Sequence, residues 1–455
     1  MYTSSLFQAL LLSATLVPNT FAQSEITDPT RRAEFALAAL QIWYNAGTGL
    51  WDTSGWWNSA NVMTMVGNMA EVDGDNPQLQ DLASRIFANT LMQAPAQNPQ
   101  PGIEDDAVAK RSTLNGTSGL FNTTGKETGY DKIMSADLDF EPITTMPLDW
   151  GKRIGEYVDV KSLPIYQPKQ DVTTAAANPD EWLDGFYDDD LWWALGWIRA
   201  FDVTGNAEYL TLAEGIFKAV TKAWPSTCGN GGIWWSWKKE YANAIANELF
   251  LSTAAHLANR AQDKAFYVDW AEKELNWFLG SGMINERGTI NDGLNDQCQN
   301  NNLVGQKVLS HLRSCTDPLQ TTWSYNQGVI LGGLVELNKA SPNETYLPLA
   351  TRIAKAAITE LSDANGVLHD ACGPTCGPDA SQFKGIFARG LMQLHEAAPD
   401  PVFAKTMKVN ADSIWANDRD EADMISINWA GPFIAPANAT THSSGMDALV
   451  AAITV

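Results

Sequence analysis

The chain has 455 residues, which is enough for one large domain or for two or three ordinary ones. Acidic side chains outnumber basic ones by 53 to 30, and the net charge is −23. This charge disfavours nucleic acid and anionic lipid as partners, because both are themselves negative. Beyond the first residues, no segment has the roughly 20 consecutive apolar residues of a membrane span. We therefore expect a neutral substrate and no membrane attachment.

The N-terminal segment has the pattern of a secretory signal. An apolar run, LFQALLLSATLV, is followed by Phe21-Ala22-Gln23, a small-residue cleavage pattern. We expect residues 1–22 to be removed and residues 23–455 to form a single catalytic domain. Four N-glycosylation sequons agree with a secreted, extracellular glycoprotein; they lie at Asn115, Asn122, Asn343 and Asn438.

Apolar residues recur at helical spacing through most of the chain, whereas strand-like alternation is scarce. The predicted helices are 31–45, 58–71, 77–94, 189–204, 206–223, 240–260, 264–280, 323–339, 344–362, 381–397, 401–417 and 443–454. Amphipathic helices with a charged face alternate with helices rich in Ala, Gly, Asn and aromatic residues. The first kind suits an outer layer and the second a buried one, which predicts an all-α (α/α)6 barrel of six helical hairpins. An α-solenoid is the main structural alternative.

Residues 97–182 interrupt this pattern before the fourth helix. The stretch contains prolines, two of the sequons and short β-like pieces such as VDVKSLPIY. Long loops inside compact domains are usually functional or disordered. We predict an insertion that folds over part of the cleft rim.

The inner helices of such a barrel all begin at one end. The sequences there are polar and aromatic, and six such loops at one rim predict a single cleft with positive helix-dipole ends directed into it. The chain also has 18 tryptophans, several of them in pairs. Core packing accounts for most of them, and stacking on sugar rings is the alternative for one member of each pair. The pairs are Trp56-Trp57, Trp192-Trp193 and Trp234-Trp235.

Three consecutive aspartates, Asp188, Asp189 and Asp190, begin the fourth predicted helix. Aspartates at a helix start often only cap free N–H groups, so a structural role is one interpretation. Glycoside hydrolysis, in turn, needs two carboxyls, about 5 Å apart in retaining enzymes. Adjacent residues at a non-helical cap could direct both side chains into one cleft. One carboxylate would then act as nucleophile while its neighbour holds a proton.

Four segments together carry a resemblance to a known family: YDDDLWWALGWIRAFDVTGNAEYL, GGIWWSWKKEYANAIANELFL, WSYNQGVILGGLVEL and QFKGIFARGL. They closely resemble glycoside hydrolase family 76, which contains endo-α-1,6-mannanases and related fungal cell-wall transglycosidases. The resemblance runs from about residue 33 to residue 455, apart from the insertion. It implies an (α/α)6 barrel and a retaining two-aspartate mechanism on α-1,6-mannan. Asp188 is then the nucleophile, Asp189 the general acid/base, and Asp190 a first-turn acid.

Further candidates for sugar contacts lie at the starts of the inner helices: Tyr187, Trp57, Asn61, Trp234, Trp235, Tyr325, Asn326, Phe383 and Lys384. The predicted protein is a secreted, monomeric endo-α-1,6-mannanase that acts on α-mannan polysaccharide or oligosaccharide. The lack of a lipid-anchor signal favours this interpretation over a cell-wall α-mannan transglycosidase, which stays an alternative. A non-catalytic glycan-binding protein, with the aspartates as helix caps, is the second alternative.

No His, Cys and carboxylate spacing resembles a metal site, so we expect neither metal nor cofactor. Five cysteines in an oxidising compartment predict two disulfides and one spare thiol. Cys372 and Cys376, in CGPTC, are close enough to close a small loop. The pairing of Cys228, Cys298 and Cys315 stays open.

Overall fold

The computed structural model describes residues 26–101, 177–300 and 321–455. Twelve α-helices lie in these ranges, and the expected all-α class is confirmed. In chain order they are α1 (Pro29–Leu40), α2 (Trp56–Val72), α3 (Pro77–Gln93), α4 (Tyr187–Thr204), α5 (Ala207–Val220), α6 (Ala244–Ala258), α7 (Lys264–Gly280), α8 (Ser324–Ala340), α9 (Tyr346–Leu361), α10 (Phe383–Ala397), α11 (Pro401–Asn417) and α12 (Ala439–Ala451).

The even-numbered helices form an inner ring and the odd-numbered helices surround it. Every residue of α6 and of α12 is buried, whereas α5 and α9 bury a single stripe with helical spacing. Each inner helix packs on the next, from α2 through α4, α6, α8 and α10 to α12, and α12 packs on α2. The ring is therefore closed, which makes the fold an (α/α)6 barrel rather than a solenoid.

Glycines allow close approach inside the ring. A Cβ atom at Gly390 of α10 would collide with the carbonyl oxygen of Gly328 in α8, and one at Gly328 would lie 2.5 Å from the Cα of Phe387. The first and last hairpins are also joined by a polar contact, because Nε2 of His442 lies 2.7 Å from the carbonyl oxygen of Ala36. These contacts hold the inner helices at backbone-to-backbone distance.

The helix boundaries follow local chemistry in most places. Asp28, Asn76 and Asp400 each cap a helix whose first residue is proline, a residue that suits a position where no N–H is needed. Two boundaries differ from the prediction because short strands replace the helix ends. The strands are β1 (Tyr44–Asn45), which pairs with β2 (Leu50–Trp51), and β3 (Ala242–Asn243), which pairs with β4 (Gly293–Leu294).

Loops at the rim are tied together covalently. Cys228 is bonded to Cys298, with a Cα–Cα distance of 5.1 Å, so the loop before α6 is joined to the loop before α8. Cys372 is bonded to Cys376 in the loop before α10. Cys315, the sequons at Asn115 and Asn122, and most of the predicted insertion lie outside the described residues.

Two sequons fall on the described surface. Asn343 is exposed in the turn before α9, and Asn438 is partly exposed at the N-cap of α12. No helix within the described ranges is both long and apolar enough to span a membrane.

Candidate active site

The aspartate triplet lies in the first turn of α4. The helix begins at Tyr187 with Phe186 as its N-cap, so Asp188 and Asp189 are helical and the predicted non-helical cap is wrong. Asp189 and Asp190 are buried, and Asp188 is partly exposed. The N-terminal end of a helix favours negative charge, which suits carboxylates at these positions.

The segment before Asp188 is fixed to the loop that precedes α6. The N–H of Tyr187 donates to the carbonyl of Trp235 at 2.9 Å, and the N–H of Trp237 donates to the carbonyl of Gly185 at 3.0 Å. These bonds place the Trp235 side chain beside Asp188. Its indole N–H donates to Oδ2 of Asp188 at 3.0 Å. Two elements that are distant in sequence therefore define the position of this carboxylate.

The two predicted catalytic carboxyls differ in their surroundings. Burial raises the pKa of Asp188 to about 8; the negative charges of Asp184 and Asp379 raise it further, and the hydrogen bond from Trp235 opposes the shift. Burial also raises the pKa of Asp189 well above its usual range, and Asp184, Asp188 and Asp379 add to that rise. Only Asp188 has the Trp235 donor, so Asp188 loses its proton more easily. This is the asymmetry that an anion and a neighbouring acid require.

Aromatic rings from four inner helices meet at this end of the barrel. The ring of Tyr325 in α8 is stacked on that of Phe383 in α10 with centroids 3.7 Å apart, and Trp57 in α2 stacks on Trp192 in α4 at 5.8 Å. The rings of Trp57 and Phe383 are 6.4 Å apart. The structure thus brings Trp57, Tyr325 and Phe383 together. Tyr325 is partly exposed, whereas Trp57 and Phe383 are buried.

Two further carboxylates belong to the site, and sequence reasoning missed both. Oδ1 of Asp379 accepts the indole N–H of Trp57 at 2.9 Å. Oδ2 of Asp292 accepts the hydroxyl of Tyr241 at 2.5 Å, and its Oδ1 lies 3.4 Å from Nδ2 of Asn326. Both aspartates come from loops before inner helices, where no periodic pattern marks them. Only the folded structure, which brings these loops to the rim, shows that the two aspartates belong to the site.

The interior of the barrel also contains a buried carboxyl, that of Glu248, without a hydrogen-bond partner among the described residues. Glu248 is almost fully buried in α6, and neither carboxylate oxygen has a hydrogen-bond partner among the described residues. Burial, with the nearby charge of Asp292, raises its pKa well above the usual range. Burial likewise raises the pKa of Asp292 to about 6, against the hydrogen bonds from Tyr241 and Asn326. A neutral Glu248 avoids the cost of a buried unpaired charge.

Two predicted sugar-contact residues are directed into the protein interior instead. Asn61 is fully buried; its amide oxygen accepts from Nη1 of Arg389 at 2.9 Å. Nζ of Lys384 donates to the carbonyl of Ile427 at 2.5 Å and lies over the ring of Trp429. Asn61 thus faces α10, and Lys384 faces the loop between α11 and α12. Trp234 is as deeply buried as Trp57.

Tyr187 is also almost fully buried, beside the aspartates that follow it. Within residues 26–101, 177–300 and 321–455, no group of three His, Cys, Asp or Glu residues could hold a metal ion.

A closed ring of helices, with adjacent aspartates beside aromatic side chains at one end, is the arrangement expected of a glycoside hydrolase of the (α/α)6-barrel class. The model of glycosyl hydrolase family 76 matches residues 156–454. The chain belongs to this family.

Among curated proteins, the chain is similar to the mannan endo-1,6-alpha-mannosidase DCW1 of Candida albicans, at 26% identity over 50% of this chain and 51% of that protein. It is also similar to the mannan endo-1,6-alpha-mannosidase DFG5 of Saccharomyces cerevisiae, at 27% identity over 43% of this chain and 41% of the relative. The matches to these proteins thus span about half or less of their length.

Solved structures share the fold over nearly the whole chain. An inactive variant of the α-1,6-mannanase GH76A of Salegentibacter sp. HEL1_6, in complex with α-1,6-mannotriose, has a TM-score of 0.63 at 16% identity, covering 94% of this chain and 99% of that one. The GH76 α-mannanase BT2949 of Bacteroides thetaiotaomicron has a TM-score of 0.60 at 14% identity, covering 95% and 97%.

Proposed function

We propose that the protein is a secreted, retaining endo-α-1,6-mannanase that uses Asp188 as nucleophile and Asp189 as general acid/base. The observation that carries this proposal is the asymmetry of the two adjacent carboxyls. The Trp235 N–H favours the anionic form of Asp188 and opposes the rise of its pKa. Burial and negative neighbours favour the protonated form of Asp189, which does not share this donor. A retaining glycosidase needs one carboxylate and one carboxylic acid in this relationship.

The roles follow from these protonation states. Asp189 gives its proton to the oxygen of the leaving sugar while Oδ1 or Oδ2 of Asp188 forms a bond to the anomeric carbon. A water molecule then attacks that carbon, Asp189 takes up its proton, and the bond to Asp188 breaks. The product keeps the configuration of the substrate because the carbon is inverted twice.

The aromatic walls and the family relationship support the choice of substrate. Tyr325 is partly exposed and provides a flat ring face, with Phe383 and Trp57 packed beside it. The partly exposed Asp379 and the buried Asp292 provide acceptors for sugar hydroxyls. The GH76A structure contains α-1,6-mannotriose, and the curated relatives are mannan endo-1,6-alpha-mannosidases by name. An uncharged mannan also suits a chain with a net charge of −23.

The test compares the protein with Asp188→Asn and Asp189→Asn on linear α-1,6-mannan, with anomeric NMR of the products. Glu274→Gln is the matched control, because Glu274 is a buried carboxyl of the outer helix α7. We expect the parent protein and the control to release α-configured mannooligosaccharides first, and both aspartate variants to lose more than about 1,000-fold in rate, which is the scale for loss of a catalytic group.

Other outcomes distinguish the alternatives. Products longer than the starting oligosaccharides, without reducing ends formed by water, would identify a transglycosidase. Binding without turnover in all proteins would identify a glycan-binding protein. Release of β-configured products would exclude the retaining mechanism.

A further inference from the structure

Asp184 precedes Asp188 by four residues, lies just before α4 and is fully buried. Its Oδ1 accepts the N–H of Phe186 at 2.9 Å, and its own N–H donates to Oδ1 of Asp190 at 2.9 Å. Oδ2 of Asp184 and Oδ2 of Asp189 are both buried, and neither accepts a hydrogen bond from an N–H or hydroxyl group of the described residues. Hydrogen bonding of Asp184 with Asp189 and with Asp190 shifts the pKa values of these carboxyls. Three buried carboxyls therefore meet at the base of the cleft, with Asp184 between the other two.

Such contacts require protons. An ionised carboxylate has acceptor atoms only, so two carboxyls form a hydrogen bond only when one of them is protonated. Asp184 receives the Phe186 N–H, which favours its charged form. Asp189 and Asp190 are then the donors, and each directs a proton towards Asp184. Above the Asp184 pKa of about 7, which burial raises from its usual value, the arrangement contains one negative charge and two neutral acids.

The charged groups that act on Asp189 are all acidic: Asp184, Asp188 from the same helix turn and Asp379 from the loop before α10. The nearby donor, the Trp235 indole, is directed to Asp188. The Lys384 ammonium is directed to the carbonyl of Ile427 and has Asp370 and Asp418 as its acidic neighbours. Loss of the proton from Asp189 would thus place a second negative charge in direct contact with Asp184.

We propose that Asp184 is a positioning residue, whose carboxylate accepts a hydrogen bond from Asp189 and so keeps Asp189 protonated and correctly oriented between turnovers. The inference rests on the proposed function only in assigning Asp189 as the acid. Asp190 holds the Asp184 backbone in place, because its Oδ1 accepts the Asp184 N–H.

The test is the pH dependence of kcat/KM on an α-1,6-linked mannooligosaccharide for the parent protein, Asp184→Asn, Asp184→Glu and Asp190→Asn. In Asp184→Asn the negative charge is gone and the amide can donate to ionised Asp189. We expect the basic limb, where the acid loses its proton, to move to lower pH by about 1 unit or more, the usual effect of a charge in contact. Asp184→Glu retains the negative charge, so the basic limb of its pH profile should lie at the same pH as in the parent protein.

Asp190→Asn is the matched control, because its amide can still donate to Asp184 and its oxygen can still accept the Asp184 N–H. Its basic limb should stay where the parent protein has it. If Asp184→Asn lowers kcat/KM by one factor at every pH and leaves the limb in place, Asp184 is merely structural and the inference is overturned.

Infrared spectroscopy supplies a readout that needs no substrate. The difference spectrum between the parent protein and Asp189→Asn isolates the protonated-carboxyl band of Asp189. We expect that band to persist at neutral pH and to titrate at lower pH in the Asp184→Asn background. Its absence at neutral pH in the parent protein overturns the inference even if Asp184→Asn does not fold. A protein that shows the band and its shift but cleaves no mannan supports the role of Asp184 and refutes the proposed function.

Discussion

Trp235 is joined by one hydrogen bond to Asp188 and by a second to the residue before it. The indole N–H of Trp235 donates to Oδ2 of Asp188 at 3.0 Å, and the carbonyl of Trp235 accepts the N–H of the preceding residue, Tyr187, at 2.9 Å. The side-chain hydrogen bond stabilises the Asp188 carboxylate. The main-chain hydrogen bond fixes the distance between the Trp235 indole and that carboxylate. The loop before α6 therefore controls the charge of a residue in α4.

Trp235→Phe should raise the pKa of Asp188, because it removes the hydrogen bond that favours the anion. The acidic limb of the pH–activity profile moves to higher pH, and kcat falls about tenfold, as expected for loss of one charge-assisted hydrogen bond. The measurement is the pH profile of mannan hydrolysis. Trp237→Phe is the control, because its indole nitrogen is buried and has no hydrogen-bond partner among the described residues. An equal shift in both variants would contradict the assigned contact.

The stability of the protein should decrease as pH rises from 5 to 8. Burial raises the pKa of Asp184 to about 7 and of Asp292 to about 6. In the unfolded chain the pKa of an aspartate is about 4, so between these values the folded protein keeps protons that the unfolded chain has lost. The stability from these groups is fully present below about pH 4 and is lost as pH rises through 6 to 8.

Two buried histidines should decrease the stability of the protein at low pH. Burial lowers the pKa of His256 and of His442 to about 4, so their contribution is present above the unfolded value near 6.5 and is lost as pH falls towards 4. Thermal unfolding should give its highest midpoint near pH 5. Asp184→Asn and Asp292→Asn should flatten the decline above pH 5, and an unfolding midpoint that rises up to pH 8 would refute the buried-acid account.

Arg389→Met should destabilise the barrel by about 3–5 kcal/mol, the cost of leaving a buried partner charge unpaired. Arg389 and Asp447 form a 2.8 Å ion pair with side chains 9% and 1% exposed, and Arg389 also donates to Asn61. Lys408→Met is the control, because its pair with Asp412 is exposed and should contribute less than about 1 kcal/mol. Urea unfolding measures the free energy of unfolding of both variants. A similar decrease in the two would show that the buried ion pair contributes no more to stability than the exposed one.

Cys298→Ser should lower the free energy of unfolding by about 4 kcal/mol and Cys376→Ser by about 2 kcal/mol, since the longer closed loop removes more entropy from the unfolded chain. The sequence separations of the two disulfides are 70 and 4 residues. Denaturant unfolding under non-reducing conditions gives the comparison. A greater loss in Cys376→Ser would show that native-state strain outweighs loop closure.

Local sequence patterns were sufficient to predict the helices. Asn206 before α5 and Asp400 before α11 are caps that set the first residue within a few positions. The errors lie where tertiary pairing overrides periodicity. The predicted helix at 240–260 begins only at Ala244, because Ala242–Asn243 pairs with a loop some 50 residues away in sequence.

The site was predictable only in part, for the same reason. Trp57, Tyr325 and Phe383 meet because all three lie at inner-helix starts, which a periodic pattern can locate. Asn61 lies one turn further along its helix, and its side chain faces Arg389 of α10. Asp292 and Asp379 belong to loops whose position depends on the closed ring. Helix periodicity identifies which residues share a face but not which partner that face meets.

A closed ring also fixes the number of its members. A solenoid can gain or lose a hairpin at its ends, but here α12 packs on α2, so an added hairpin would have no place without reopening the barrel. Changes in chain length are then tolerated only in the connections. The described residues that precede α4, from residue 177 on, end at the rim where α4 begins with its aspartates. Variation in connections at that rim would alter the surroundings of the aspartates while leaving the ring intact, so this architecture lets substrate range diverge without loss of the fold.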